Sequence, residues 1–220
     1  MEWYCGQVYK INSDNMITQQ NIESVYPHGS YVYRAHFKFD WNRLRPVCKN
    51  LIETTKHEGY LVEGGKTSVS NHKQPHLLPE FKDFYTWLKT IIKEVAINKE
   101  GFHKNFKYSV GNSWVNYHGE GGKTLEHNHS NAIFVAATYL YMPENGGYIE
   151  YKDPLEYHKA AYEHQDGKSW FWKEVPAVTG DVLIFPGWLK HRTQNNLSNE
   201  KRWVLTTNFI QTPELGGRIW

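Results

Sequence analysis

The sequence predicts an α+β protein, an antiparallel β sandwich or barrel with helices packed on one face. Three observations point there. Residues 1–105 contain two stretches whose apolar residues recur at helical spacing. From residue 106 the period changes, and short β-branched and aromatic runs follow one another between Gly, Pro and Asn turns. The order is thus mixed α and β first and all β afterwards, which places the helices together on one side of a β core.

The elements follow in chain order. Residues 1–30 are polar, with "INSDN" and "PHGS" as turn punctuation. "SYVYRAHFKF" reads as a strand. In "DWNRLRPVCKNLIETTKHEG", Leu44, Val47, Cys48, Leu51 and Ile52 mark a helix, with Asp40 as its N-cap, Pro46 in its early turns and Gly59 closing it. "EGGKTSVSNHKQPHLLP" reads as a long polar loop in which "KTSVSNH" offers a further strand. "PEFKDFYTWLKTIIKEVAIN" is the strongest helix, because Phe81, Phe84, Trp87, Leu88, Ile91, Ile92 and Val95 form one broad apolar face for core packing. "FKYSVGNSWVNYHG", "NAIFVAATYLYM", "GGYIEYKDP", "GDVLIFP", "HRTQ" and "KRWVLTTNFI" read as strands. "EYHKAAYEHQDGKSWFWKE", residues 156–174, reads as an insertion between core strands: a lid, a substrate platform or an ordinary exposed hairpin. These elements are expected to make one domain over residues 1–220, with 1–105 as support and 106–212 as the β core.

Composition narrows the function classes. The net charge is +2 and both signs are interspersed, so no nucleic-acid surface is indicated. Two cysteines, Cys5 and Cys48, do not make a disulfide framework, and no CxxC is present for a thiolate zinc site. A reducing, cytoplasmic location is expected. The N-terminus lacks the basic and apolar regions of a signal peptide. No apolar run approaches the ~20 residues of a membrane span, so no membrane partner is expected.

"LEHNHS" sets His127 and His129 one residue apart at the mouth of an apolar run. If the stretch is extended, i and i+2 share a face, so the two imidazoles point the same way. Such a pair wants hydrogen-bond partners or a cation. Taken alone it reads more simply as a surface pair or a turn cap. Downstream, "GDVLIFPGWLKHRTQ" presents His191, and eleven positions later Arg202 heads the apolar strand "WVLTTNF". A basic residue entering an apolar strand calls for an anionic partner, unless it sits exposed at an edge.

Together, "SWVNYHGEGGKTLEHNHS", "TYLYMPENGGYIEYKDP", "GDVLIFPGWLKHRTQ" and "KRWVLTTNF" resemble the iron(II)/2-oxoglutarate-dependent oxygenases. More narrowly, they resemble a group within that superfamily in which His-x-His stands where His-x-Asp is usual. "TSVSNHKQPHLLPEFKDF" is similar to the segment upstream of that core, and the likeness spans most of residues 31–210.

The resemblance implies a double-stranded β-helix, or jelly-roll barrel, with helices on its outer face and the site inside one mouth. It implies an enzyme, a hydroxylase using Fe(II), 2-oxoglutarate and dioxygen on a substrate that the sequence does not name. It makes His127 the first metal ligand, His191 the distal ligand and Arg202 the clamp for the far carboxylate of 2-oxoglutarate. His129 stands at the carboxylate position, so three imidazoles would hold the metal, iron or zinc. A carboxylate from Asp153 or Glu150 is the rival third ligand. Asn116, Tyr139, Tyr141 and Asn208 lie on strands expected beside the metal, where Asn116, Tyr139 and Asn208 are candidates to bind the co-substrate. Trp114 and Trp188 read as core or pocket wall, and His118, His158 and His164 as exposed loop residues. His72 and His76 sit in the long loop. Two other classes stay open: a three-histidine, cupin-type dioxygenase without 2-oxoglutarate, and a non-catalytic jelly-roll binding module. A purely structural jelly roll has no reason to aim three His and one Arg inward.

Overall fold

The computed structural model describes residues 23–25, 32–56, 59–154 and 171–213. The turns expected before residue 23, Cys5, and most of the 156–174 insertion with His158 and His164 lie outside the described residues. In chain order the elements are β1 (Glu23–Val25), β2 (Val32–His36), α1 (Trp41–Glu53), β3 (Val62–Thr67), α2 (Lys82–Glu94), β4 (Phe106–Thr124), β5 (Phe134–Tyr141), β6 (Ile149–Lys152), β7 (Trp172–Val175), β8 (Asp181–Pro186), β9 (His191–Thr193) and β10 (Arg202–Pro213).

The strands form two antiparallel sheets. The larger runs β1-β2-β8-β5-β10-β4-β3 and the smaller β7-β6-β9. Alternation then gives each central strand two buried faces. On β5, Val135, Ala137 and Tyr139 face the smaller sheet and pack with Ile149, Tyr151, Leu183 and Phe185. Phe134, Ala136 and Leu140 face the other way, onto α1 and α2, and join Leu51, Leu88 and Ile92. Helices, large sheet and small sheet thus stack as three layers, the jelly roll with helices on its outer face that the resemblance implies.

Helix α2 buries the apolar face expected of it, with Leu88 and Ile92 fully covered. Burying one such side chain is worth roughly 1.5–3 kcal/mol, so this stripe anchors the helical layer. The helix continues as a wider turn through Lys99, where Glu100 N–H donates to Val95 O at 2.9 Å. Helix α1 starts as expected, with Asp40 accepting from Arg43 N–H at 3.2 Å. It ends at Glu53 and not near Gly59. The Thr54 hydroxyl donates to Asn50 O, and Thr55 and Asn71 donate to Leu51 O, each at 2.7 Å. These side chains satisfy the terminal carbonyls and stop the helix six residues early.

Three strand expectations are corrected. "EGGKT", read as loop, is part of β3 and forms the edge beside β4. The end of the supposed insertion is β7, paired with β6, so it belongs to the core. Finally, β4 does not end at the first glycine after "WVNYH" but runs nineteen residues to Thr124.

Parity also breaks once. Trp203 pairs with Tyr141 but Val204 with Tyr139, so Leu140 is an extra, bulged residue. Tyr139 stays inside the sandwich, while Tyr141 turns to the helix side, stacks on Trp41 and donates to Glu200 at 2.9 Å. Tyr141, expected beside the metal, is therefore removed from it.

Candidate metal centre and its cavity

Backbone pairing brings the histidines together. The amides of His127 and His191 each donate to the other's carbonyl at 3.0 Å, an isolated bridge that joins the "LEHNHS" segment to β9. His129 N–H donates to Gly187 O at 2.8 Å. A Cβ on Gly187 would fall 2.1 Å from Ala132 O and 2.7 Å from His129 O, so only glycine lets the turn after β8 lie against this segment.

The alternation inferred for His127 and His129 holds, and both side chains meet His191. One ligand nitrogen from each lies within 4.8 Å of the others. His129 Nε2 and His191 Nε2 are 3.4 Å apart. His127 Nδ1 donates to Leu125 O at 2.8 Å, and His191 Nδ1 to Leu189 O at 2.9 Å. Both bonds fix the proton on Nδ1 and free Nε2 as a metal ligand. Trp114 stacks along His129 with ring centres 5.8 Å apart, and Phe185 meets His191 edge-on at 4.7 Å.

Among the described residues no carboxylate joins this cluster. Glu150 lies on the outer side of β6, where Arg192 holds it at 2.7 Å. Asp153 is buried but outside the cluster.

Burial makes all three imidazoles weak bases. His191 is held well below its usual range, first by burial and then by the neighbouring His127 and His129. Burial and His127 push His129 down to about 4, partly offset by Asn208. Burial also lowers His127, against the Leu125 carbonyl. Neutral imidazoles are the form a metal binds, so the centre is ready at neutral pH without releasing protons.

The cluster opens on a cavity of about 300 Å³ between the sheets. Val135, Ala137, Ile149, Phe185 and Val204 give it apolar walls, and Tyr60, Val62 and Val69 also line it. Asn116, His118, Thr124, Tyr139 and Thr193 supply polar groups. Asn116 and Tyr139 both line the cavity. Asn208 comes to His129 and favours its protonated form, although its buried Oδ1 makes no well-formed hydrogen bond. Trp114 is cavity wall as expected, whereas Trp188 is 55 % exposed.

His118 corrects the sequence reading. It is 1 % exposed, not a loop residue, because β4 runs past it and sets it opposite Arg202. Its Nε2 lies 2.7 Å from Thr124 Oγ1 and its Nδ1 has no partner. The signal was present, since Trp114, Asn116 and His118 alternate on one face. Thr193, two residues after His191, was also missed.

Arg202 is fully buried behind this polar wall and does not itself line the cavity. Its Nη1 donates to Gly146 O at 2.5 Å, Gly147 O at 3.0 Å and Gln194 O at 3.2 Å, and its Nη2 to Thr193 Oγ1 at 2.9 Å. Nε has no partner. The anionic protein partner expected for a buried arginine is absent among the described residues; carbonyl dipoles take its place, and the positive charge is left without a counter-charge. Gly147, at φ 73°, completes the cradle: a Cβ there would meet Asn195 O at 2.4 Å and Arg202 Nη1 at 3.1 Å.

One consequence is acid lability. Burial and the Arg202 charge push His118 down to about 3 from 6.5. In the unfolded chain the same group takes up a proton below about pH 6.5, so stability falls as pH drops through that value. At pH 5 His118 alone costs roughly 2 kcal/mol, and the three clustered histidines add in the same direction. The metal-free protein should show a falling Tm between pH 7 and pH 5, with a shallower fall in His118→Asn. A flat profile would contradict these buried neutral imidazoles.

Residues 112–208 match the family model described as "Putative 2OG-Fe(II) oxygenase". The match spans most of the β core and less than half of the chain. A comparison with curated proteins finds no match. Solved structures share the fold at low identity. HygX from Streptomyces hygroscopicus, solved with nickel and 2-oxoglutarate bound, has a TM-score of 0.57 at 13 % identity, covering 87 % of this chain and 85 % of that one. The α-ketoglutarate-dependent carbocyclase SnoK from nogalamycin biosynthesis has a TM-score of 0.54 at 15 % identity, covering 85 % and 83 %. A prolyl-4-hydroxylase from Pseudomonas putida has a TM-score of 0.51 at 13 % identity, covering 82 % and 92 %. Among the described residues no helix is long and apolar enough to cross a membrane.

Proposed function

We propose that the protein is a 2-oxoglutarate-dependent hydroxylase whose iron(II) is held by His127, His129 and His191, with Arg202 anchoring the far carboxylate of 2-oxoglutarate. The observation that carries this reading is the pairing of two features on one cavity: three neutral imidazoles with ligand nitrogens within 4.8 Å, and a buried guanidinium without a counter-charge behind its polar wall. Bound there, iron(II) supplies coordination positions and the redox capacity that couple 2-oxoglutarate decarboxylation to oxidation of a substrate C–H bond.

The chain's own residues do the rest. Three neutral ligands leave the metal's charge undiminished, which favours an anionic chelator. Arg202 stabilises a second negative charge, and its unpartnered Nε–H is the donor still unused. Burial pushes the Tyr139 phenol up to about 12, so its hydroxyl stays protonated as a donor. Asn116, whose Oδ1 has no protein partner, is the further polar contact. Trp114, Val135 and Phe185 keep water from the reacting centre. We assign the whole of residues 1–220 to this one domain, with residues 1–105 supporting the 106–212 core. A reducing, cytoplasmic setting is part of the same reading, and the buried free thiol of Cys48 suits it.

Anaerobic addition of Fe(II) and then 2-oxoglutarate should produce the weak visible charge-transfer band of an iron-bound 2-oxo acid. Failure to develop it, with iron bound, would remove 2-oxoglutarate from the centre. His129→Asp restores the commoner ligand set, so it should still bind Fe(II). Complete loss of metal in that variant would mean that the third ligand position differs from the one drawn here.

A further inference from the structure

Two of the three histidines are oriented in the same way, by a bond from Nδ1 to the carbonyl two residues earlier: His127 to Leu125, and His191 to Leu189. His129 shows no such bond among the described residues. The carbonyl two residues before it is that of His127, and it already accepts the His191 amide at 3.0 Å. His129 Nε2 points to the centre, 3.4 Å from His191 Nε2, so Nδ1 is the nitrogen left to be held. Asn208 is the side chain that interacts with the His129 ring. On β10, Val204 and Thr206 line the cavity while Trp203, Leu205 and Phe209 join the helix-side core and Thr207 meets Tyr85 of α2, so alternation turns Asn208 to the cavity side. The turn that carries His129 docks on the same strand, with Ile133 N–H donating to Phe209 O at 2.8 Å. Asn208 Oδ1 is buried and lacks a good partner, as an acceptor waiting for a small rotation would be.

We propose that Asn208 is a positioning residue whose Oδ1 accepts the His129 Nδ1 proton and thereby aims His129 Nε2 at the metal. The inference rests on the three-histidine reading above. It moves Asn208 from the co-substrate, where the sequence put it, to the unusual third ligand. Metal-bound imidazoles generally donate their other N–H to such an acceptor, and losing it costs about 10–100-fold in metal affinity.

The test uses the full chain and Co(II) alone, with affinity read by chelator competition and ligand geometry by the cobalt d–d spectrum. Asn208→Ala should weaken Co(II) about 10–100-fold and alter the spectrum. Asn208→Asp, an isostere that accepts the same proton, should bind within about threefold of wild type or tighter. In a His129→Ala background Asn208→Ala should cost nothing more, because the two act as one unit. Wild-type affinity in Asn208→Ala, or an equal further loss in the His129→Ala background, overturns the inference and leaves the metal site standing. A wild-type protein that binds no Co(II) would overturn the three-histidine reading and this inference with it.

Discussion

His191→Ala is expected to cost the protein its metal. His191 is buried on β9, its Nε2 is freed for a ligand by the Nδ1–Leu189 bond, and it is the meeting point of the other two rings. Losing an outer hydrogen bond already weakens metal sites up to about a hundredfold, so losing a ligand should exceed that. The fold should survive at a cost of roughly 2–4 kcal/mol, because the imidazole leaves a cavity beside Phe185 and Tyr151. Metal content after dialysis, with circular dichroism on the same samples, separates the two effects. The same loss is expected for His127→Ala and His129→Ala. Stoichiometric iron or zinc in all three variants would remove the triad.

Arg202→Ala should show two effects of different origin. The first is structural. The guanidinium donates to three backbone carbonyls and the Thr193 hydroxyl, and its removal takes that donor from each of them in a buried region. A loss of roughly 3–5 kcal/mol is expected, visible as a lower Tm without any ligand. The second concerns the co-substrate. With metal present, a hundredfold excess of 2-oxoglutarate over its Kd should stabilise the wild type by about 2.7 kcal/mol. In Arg202→Ala that increment should vanish while metal binding remains. Arg202→Lys keeps the charge but cannot reproduce the fork that spans Gly146, Gly147, Gln194 and Thr193, so its ligand-induced shift should be smaller than that of the wild type. The increment, not the absolute Tm, is the measure of the clamp. An unchanged increment in Arg202→Ala would leave the arginine a purely structural keystone of the β10 end.

What the sequence by itself determined follows from period and spacing. Alternation put His127 and His129 on one face, apolar β-branched and aromatic runs marked β5, β8 and β10 as strands, and helical spacing gave α2 its single apolar stripe. Those are local properties, and the chain carries them wherever it goes. The tertiary structure decided the rest, because it depends on what lies across from each residue. The extra residue at Leu140 reverses parity, keeping Tyr139 in and sending Tyr141 out. Pairing with β3 carries β4 through "HGEGG" to Thr124, and pairing with β10 sets buried His118 against Arg202. The partners of Arg202 are mostly main-chain carbonyls, which every residue has and no sequence pattern displays. The same is true of the bridge between His127 and His191, which is made of main-chain groups alone. Residue types showed which chemistry was present; register, bulges and backbone acceptors determined which side chains meet to perform it.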